Sequence, residues 1–260
     1  MANPLPIPDP VVDPSVPKRP PGMAELPYED DEPMESDKHR QQMNLLIETL
    51  QHHVRARPDV FIAGNMGVYY SVLQATKNEF RAPDFFVVLG AEPREGGRLS
   101  WVIWEEERAP DVVIELLSAS TAANDRGRKK TIYARAMKVE EYFLFDPHAL
   151  TLEGFTLDRE AADYCSVTAG SDGGFDSRVL GLRLVVARGT FQGVHTDWLR
   201  WALPDGSLLP TGVEMAESER ARAESERARA ESERARADAE RARAEGFAAR
   251  LRAAGIEPGE

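Results

Sequence analysis

The stretch Pro110-Asp111-Val112-Val113-Ile114-Glu115-Leu116-Leu117-Ser118 constrains this chain more than any other. It is short, almost continuously apolar and rich in β-branched residues, with proline at one end and Ser118-Ala-Ser-Thr121 at the other. Such a run reads as a strand buried on both faces, in the middle of a mixed sheet. One carboxylate, Glu115, lies inside it. Taking an unpaired carboxylate out of water costs several kcal/mol or forces it to protonate, so a residue in this setting is usually bound to a metal or, on the plainer reading, salt-bridged to a lysine at the strand's end.

The sequence around the run sets the remaining elements. Ten of the eighteen prolines fall within residues 1–33, which excludes a helix or central strand there. Residues 1–22 read as a disordered Pro-rich arm, and residues 23–36 as an extended segment along the domain. Ser36 or Asp37 caps a helix whose buried stripe is Met43, Leu46, Ile47 and Leu50. His39 on its first turn reads as a capping or supporting residue. After Pro58 the period becomes two, predicting strands at 59–63 and 67–73 around the turn Gly64-Asn65. Residues 80–89 form a second apolar run with a lone acid, Asp84, near its start, and 99–104 is its expected return strand. Glu105, Glu106 and Glu107 read as a solvated loop.

Residues 125–137 predict a helix capped by Asn124 or Asp125, with Ile132, Tyr133 and Met137 on its packed face. Glu141–Asp146 predicts another buried strand, stopped by Pro147. Strand runs at 151–157, 179–186 and 198–203, with a hairpin turn at Asp205-Gly206, predict an antiparallel extension of the same domain. The whole is an α/β (α+β) fold: a mixed central sheet flanked by helices, an antiparallel extension and a long C-terminal helix.

That last helix has a different character. Residues 217–244 repeat every seven, Glu-Ser-Glu-Arg-Ala-Arg-Ala three times and then Asp-Ala-Glu-Arg-Ala-Arg-Ala. The repeat suggests a coiled coil, yet each unit's two alanines lie two apart, so no a/d stripe of leucine or isoleucine forms. The expected domains are therefore 1–22, 23–210 and a charged heptad-repeat helix over 213–254.

Composition narrows the function. The formal net charge is −12, with a net of only −1 over residues 216–260, so non-specific binding of a polyanion by the whole surface is excluded, though a local basic cleft is not. Arg126, Arg128, Lys129, Lys130 and Arg135 supply a candidate phosphate-binding face on one helix. One cysteine, Cys165, rules out an intrachain disulfide. With no secretory signal and no apolar stretch near the roughly 20 residues that span a bilayer, the expected location is cytoplasmic, away from membranes. Zinc spacing, a P-loop and a helix-turn-helix are missing.

Three side chains have the chemistry to converge: Asp84, Glu115 and Lys129. Asp111 and Glu115 share one strand four residues apart, about 13 Å, and cannot hold one ion together. Asp84 on a neighbouring strand about 4.8 Å away can stand beside Glu115. Two carboxylates, the Leu116 carbonyl and waters suit Mg²⁺ or Mn²⁺. A lysine beside them can orient or help deprotonate a metal-bound water and stabilise charge on a phosphate oxygen. The plainer reading of Lys129 is a surface lysine paired with Asp125.

The order Pro83-Asp84, Pro110-Asp-Val-Val-Ile-Glu-Leu-Leu-Ser118, Ser120-Thr121, Asp125, Lys129, Tyr133 and Glu141-Tyr-Phe-Leu-Phe-Asp-Pro147 resembles the Uma-two family of endonucleases. That family belongs to the PD-(D/E)XK nuclease superfamily, restriction endonuclease-like in fold. Leu26-Pro-Tyr-Glu, the segment from His39 and Trp198-Leu-Arg-Trp201 fit as well, so the resemblance spans about residues 25–210. It implies a metal-dependent endonuclease acting on nucleic acid, DNA in the first place, with Asp84 and Glu115 as the acids and Lys129 as the base-type residue. The position two after Glu115, where the superfamily usually has its basic residue, is Leu117; the resemblance moves that role to Lys129, with Lys130 as substitute. Many such folds pair as homodimers, although the sequence displays no interface. The competing class is a catalytically silent nuclease-fold scaffold acting through the charged helix; a general metal-dependent phosphoesterase is a third.

Overall fold

A computed structural model describes residues 19–26, 36–75 and 79–254. These fall into two units that part between Thr211 and Gly212, and each is taken by itself. Residues 1–18 of the expected 1–22 arm and residues 27–35 of the expected extended segment lie outside the described residues; at the start of that segment Met23–Glu25 forms a 3₁₀ turn and is not extended.

The first unit is organised by β5 (Val112–Leu116), in which all five residues are buried. β3 (Phe85–Leu89) pairs antiparallel on one side, β6 (Glu141–Asp146) parallel on the other. β1 (Val60–Ala63), β7 (Thr151–Asp158) and β8 (Asp163–Val167) complete a six-stranded sheet in the order β1-β3-β5-β6-β7-β8. The four apolar side chains of β5 contribute about 6–12 kcal/mol by burial, which offsets the several kcal/mol that Glu115 costs inside the strand.

Alternation along β5 divides the core in two. Val112, Ile114 and Leu116 face α1 (Asp37–His53) and a three-stranded antiparallel sheet, joining Leu46, Leu184 and Trp201. That second sheet is β9 (Phe175–Ser177), β10 (Leu182–Phe191) and β11 (Val194–Ala202). Val113 and Leu117 face the other way, toward Tyr133, Tyr142 and Leu144. A parallel β5–β6 pair needs a crossover, and helical residues 122–137 provide it on this second face. Glu115 points into the same layer by the strand's period of two.

Ser36 caps α1, its side chain accepting from His39 N at 3.2 Å. Across the helix, Gln42 exchanges two hydrogen bonds with the backbone of Leu199, tying it to β11. Glu141, buried at the start of β6, accepts from Ser177 Oγ and from the amides of Arg178 (2.7 Å) and Val179 (3.2 Å), which fixes the second sheet to the first.

Several local expectations are corrected. Residues 59–63 and 67–73 do not form a hairpin: β1 pairs with β3, and only β2 (Val68–Tyr69) is strand before a helical turn at Val72–Ala75. β4 (Trp101–Val102) does not return along β3 but pairs parallel with β2, and the chain turns helical at Ile103–Glu106. Glu105 and Glu106 are ion-paired with Arg94, and Glu106 also with Arg98, so they are not a free acidic loop. The crossover helix begins at Ala122, one turn before the expected cap.

The second unit is one helix, Gly212–Ala253, with no buried residue. No described helix is long and apolar enough to cross a membrane.

Candidate active site

The β3–β5 register places Phe85 opposite Ile114. One step further, Asp84 stands opposite Glu115 on the same face. Contacts follow that geometry: the Asp84 amide reaches Glu115 Oε2 at 3.4 Å, and the Leu116 amide donates to Asp84 Oδ2 at 2.7 Å. A glycine enables the approach. The corner Gly64-Asn65 lies against this strand end, with Asn65 N donating to Pro83 O at 2.8 Å. A Cβ on Gly64 would come within 2.4 Å of the Asp84 carbonyl and 2.7 Å of Met43 Sδ.

The crossover helix supplies the other half. It runs through two wide turns, Asp125–Lys129 and Tyr133–Met137. Turns of this kind recur at functional sites, where they re-aim side chains. Asp125, Lys129 and Tyr133, spaced by four, all reach toward the sheet. Lys129 Nζ lies 2.8 Å from Asp125 Oδ1 and 3.2 Å from Glu115 Oε2. Tyr133 Oη donates to Glu115 Oε1 at 2.6 Å, and Tyr142 Oη donates to the Asp125 carbonyl at 3.0 Å.

The structure thus brings Asp84, Glu115 and Lys129 together and adds Asp125 and Tyr133. Lys129 does pair with Asp125, but it bridges to Glu115 at the same time and is largely buried. Lys130 turns away, its ammonium 3.5 Å from the centre of the Phe155 ring. Asp111 sits at the far end of β5, where it accepts from Leu89 N at 2.7 Å. His39 is buried, with Nε2 3.3 Å from the Leu117 carbonyl and Nδ1 2.8 Å from Ser36 Oγ. Leu117 itself is buried and apolar. On the expected phosphate-binding face Arg126, Arg128 and Arg135 are exposed and form surface pairs with Glu153, Glu79 and Asp163.

Three carboxylates against one ammonium leave the cluster with an excess of negative charge in a buried setting. Glu115 is pushed up to about 8, first by burial and then by Asp84 and Asp125, with Lys129 and Tyr133 pulling back. Burial also raises Asp84, against the Leu116 amide and Lys129. For Lys129, burial works against the charge, but Glu115 and Asp125 outweigh it and push its pKa up. Tyr133 is raised well above the ordinary phenol range by burial and by Glu115.

Such a donor set, hard oxygens with surplus negative charge, fits a small divalent cation. Among the described residues no three His, Cys, Asp or Glu side chains cluster as a metal cage. An ion such as Mg²⁺ asks for no such cage, since it takes one or two carboxylates and completes its shell with water and phosphate.

Residues 27–187, more than half of the chain, match the Uma2 family model, described as "Putative restriction endonuclease". This chain belongs to the Uma2 family. The matched region carries Asp84, Glu115, Asp125, Lys129 and Tyr133. No curated protein matches the chain. Among solved structures it is similar to a DUF820 "putative nuclease" from Anabaena variabilis ATCC 29413, 15% identical, covering 57% of this chain and 76% of that one with a TM-score of 0.43.

Proposed function

We propose that this Uma2 protein is a divalent-metal-dependent endonuclease that hydrolyses phosphodiester bonds of DNA, through a nuclease domain over residues 23–210. The observation that carries the reading is the facing pair Asp84 and Glu115 with Lys129 Nζ 3.2 Å from Glu115 Oε2. Asp84, Glu115 and the Leu116 carbonyl would hold Mg²⁺ or Mn²⁺. When bound, the ion supplies Lewis-acid polarisation of a phosphoryl oxygen and a more acidic water.

The chain's own residues do the rest. Lys129, whose pKa Glu115 and Asp125 push up, is placed to donate hydrogen bonds to the water and to the charged phosphate oxygens. Tyr133 fixes one Glu115 oxygen and leaves the other toward Asp84 and Lys129. Asp125 holds Lys129 from its far side.

A second reading, a silent nuclease-fold scaffold working through the charged helix, draws on Leu117 standing in the usual basic position and on the net negative charge of the chain. Nicking of supercoiled plasmid separates the two. The endonuclease reading expects nicking with Mg²⁺ or Mn²⁺, loss on chelation, and loss in Asp84→Asn, Glu115→Gln and Lys129→Met. Nicking that persists in all three variants, or none from the wild-type protein with either ion, would overturn it.

A further inference from the structure

The tail helix carries a pattern that a lone helix does not use. Counting serine and glycine with alanine, small residues recur at alternating intervals of three and four from Ser218 to Ala249. One core position holds Ser218, Ser225, Ser232, Ala239 and Gly246; the other holds Ala221 and every seventh residue to Ala249. This a/d seam has no bulky side chain, so two helices could approach to the short end of the 8–10 Å range of interaxial distances.

The charges beside the seam say what would cover it. Every g position, from Glu217 each seventh residue to Glu245, is acidic, and every e position, from Arg222 to Arg250, is arginine. In a parallel, in-register pair each g acid meets an e′ arginine of the second helix. In an antiparallel pair g meets g′ and e meets e′, acid on acid and arginine on arginine.

Within one helix the acids of the repeat meet arginine three residues on, as at Glu217–Arg220 and Glu219–Arg222, but not at the four-residue spacing. A glutamate four residues before an arginine is the favourable order, yet four residues after every acid from Glu217 to Glu245 stands alanine. The contact formed at four residues has the reverse order, as in Arg222–Glu226 at 3.4 Å. No residue of the helix is buried within the chain.

We propose that this helix is a self-association element that pairs, parallel and in register, with the tail of a second copy of this chain. This stands independently of the nuclease reading. Its test uses the full chain. One variant replaces the five g acids with arginine, and another replaces the five e arginines with glutamate. By sedimentation equilibrium the wild type should be a dimer and each variant alone a monomer, while an equimolar mixture should recover the dimer, because acid again faces arginine. A wild type monomeric at its highest soluble concentration would overturn the proposal, as would variants that keep the wild-type mass or a mixture that stays monomeric. Orientation is read from a nitroxide at Ala216→Cys in a Cys165→Ser background. The parallel pair gives one short inter-label distance; the antiparallel pair, which would refute it, separates the labels by roughly 50 Å at about 1.5 Å per residue.

Discussion

Lys129→Met is the perturbation that most directly probes the electrostatics of the cluster. It removes an ammonium lying 2.8 Å from Asp125 and 3.2 Å from Glu115, and leaves three acids with no cation at contact. Removing one partner of a buried ion pair costs about 3–5 kcal/mol. The Lys129 side chain is 18% exposed, so the lower end of that range is expected. The cost must depend on pH. Glu115 has its folded pKa raised from 4.5 to about 8, so the folded state binds the extra proton and stability falls as pH rises across that window. Lys129 itself stays charged throughout, because its own pKa is raised above 10.5. Near pH 5 Glu115 is protonated, and the variant loses mainly the contact with Asp125, about 1–2 kcal/mol after discounting for solvent. Near pH 9 the wild-type Glu115 is ionised beside Lys129; without the ammonium it must stay uncompensated or take up a proton, and the full penalty of about 3 kcal/mol or more applies. Urea unfolding of both proteins at the two pH values, with chelator present, measures the difference. A destabilisation equal at both pH values, or larger at pH 5, would refute this account of the cluster.

Other expectations follow from single contacts. Gly64→Ala should destabilise by about 1–3 kcal/mol in urea unfolding, since its Cβ would sit 2.4 Å from the Asp84 carbonyl, backbone that cannot rotate away. At pH 9, where Glu115 is ionised, Tyr133→Phe removes a 2.6 Å hydrogen bond to a buried carboxylate without leaving a cavity, and should cost about 1.5–3 kcal/mol by the same assay. Glu141→Ala strands the Ser177 hydroxyl and two amides at the junction of the sheets; a loss of about 2–5 kcal/mol in thermal and urea unfolding is expected.

Much of this arrangement could be read from the sequence. The run at 110–118 announced a buried strand, and its lone acid could only be balanced by residues brought from other elements. Asp84 was legible because a period of two fixes which face it shares once β3 and β5 are neighbours. Strand partnership was less legible. β1 was expected to pair with 67–73 across Gly64-Asn65, but apolar runs of four or five residues do not say which neighbour they choose, and the close packing of Gly64 on Asp84 takes the chain to β3 instead. From the sequence Asp125 reads as a cap and as a partner of Lys129, and Tyr133 as a core residue. That Asp125, Lys129 and Tyr133 also converge on Glu115 depends on the helix starting at Ala122 and widening twice, which has no marker in the residue pattern beyond their spacing of four. The basic side chains of the same helix read as available for phosphate; the acids that meet Arg126, Arg135 and Arg128 at the surface come from β7, β8 and the segment before β3, distant in sequence and so not legible from the helix itself.

The central claim is that Asp84 and Glu115 form one divalent-cation site. Calorimetric titration of Mn²⁺ into the wild type and into Asp84→Ala and Glu115→Ala, each checked for native unfolding behaviour, tests it most directly. The account predicts one bound ion in the wild type and none in either folded variant; an ion retained by both variants, or absent from the wild type, would contradict it.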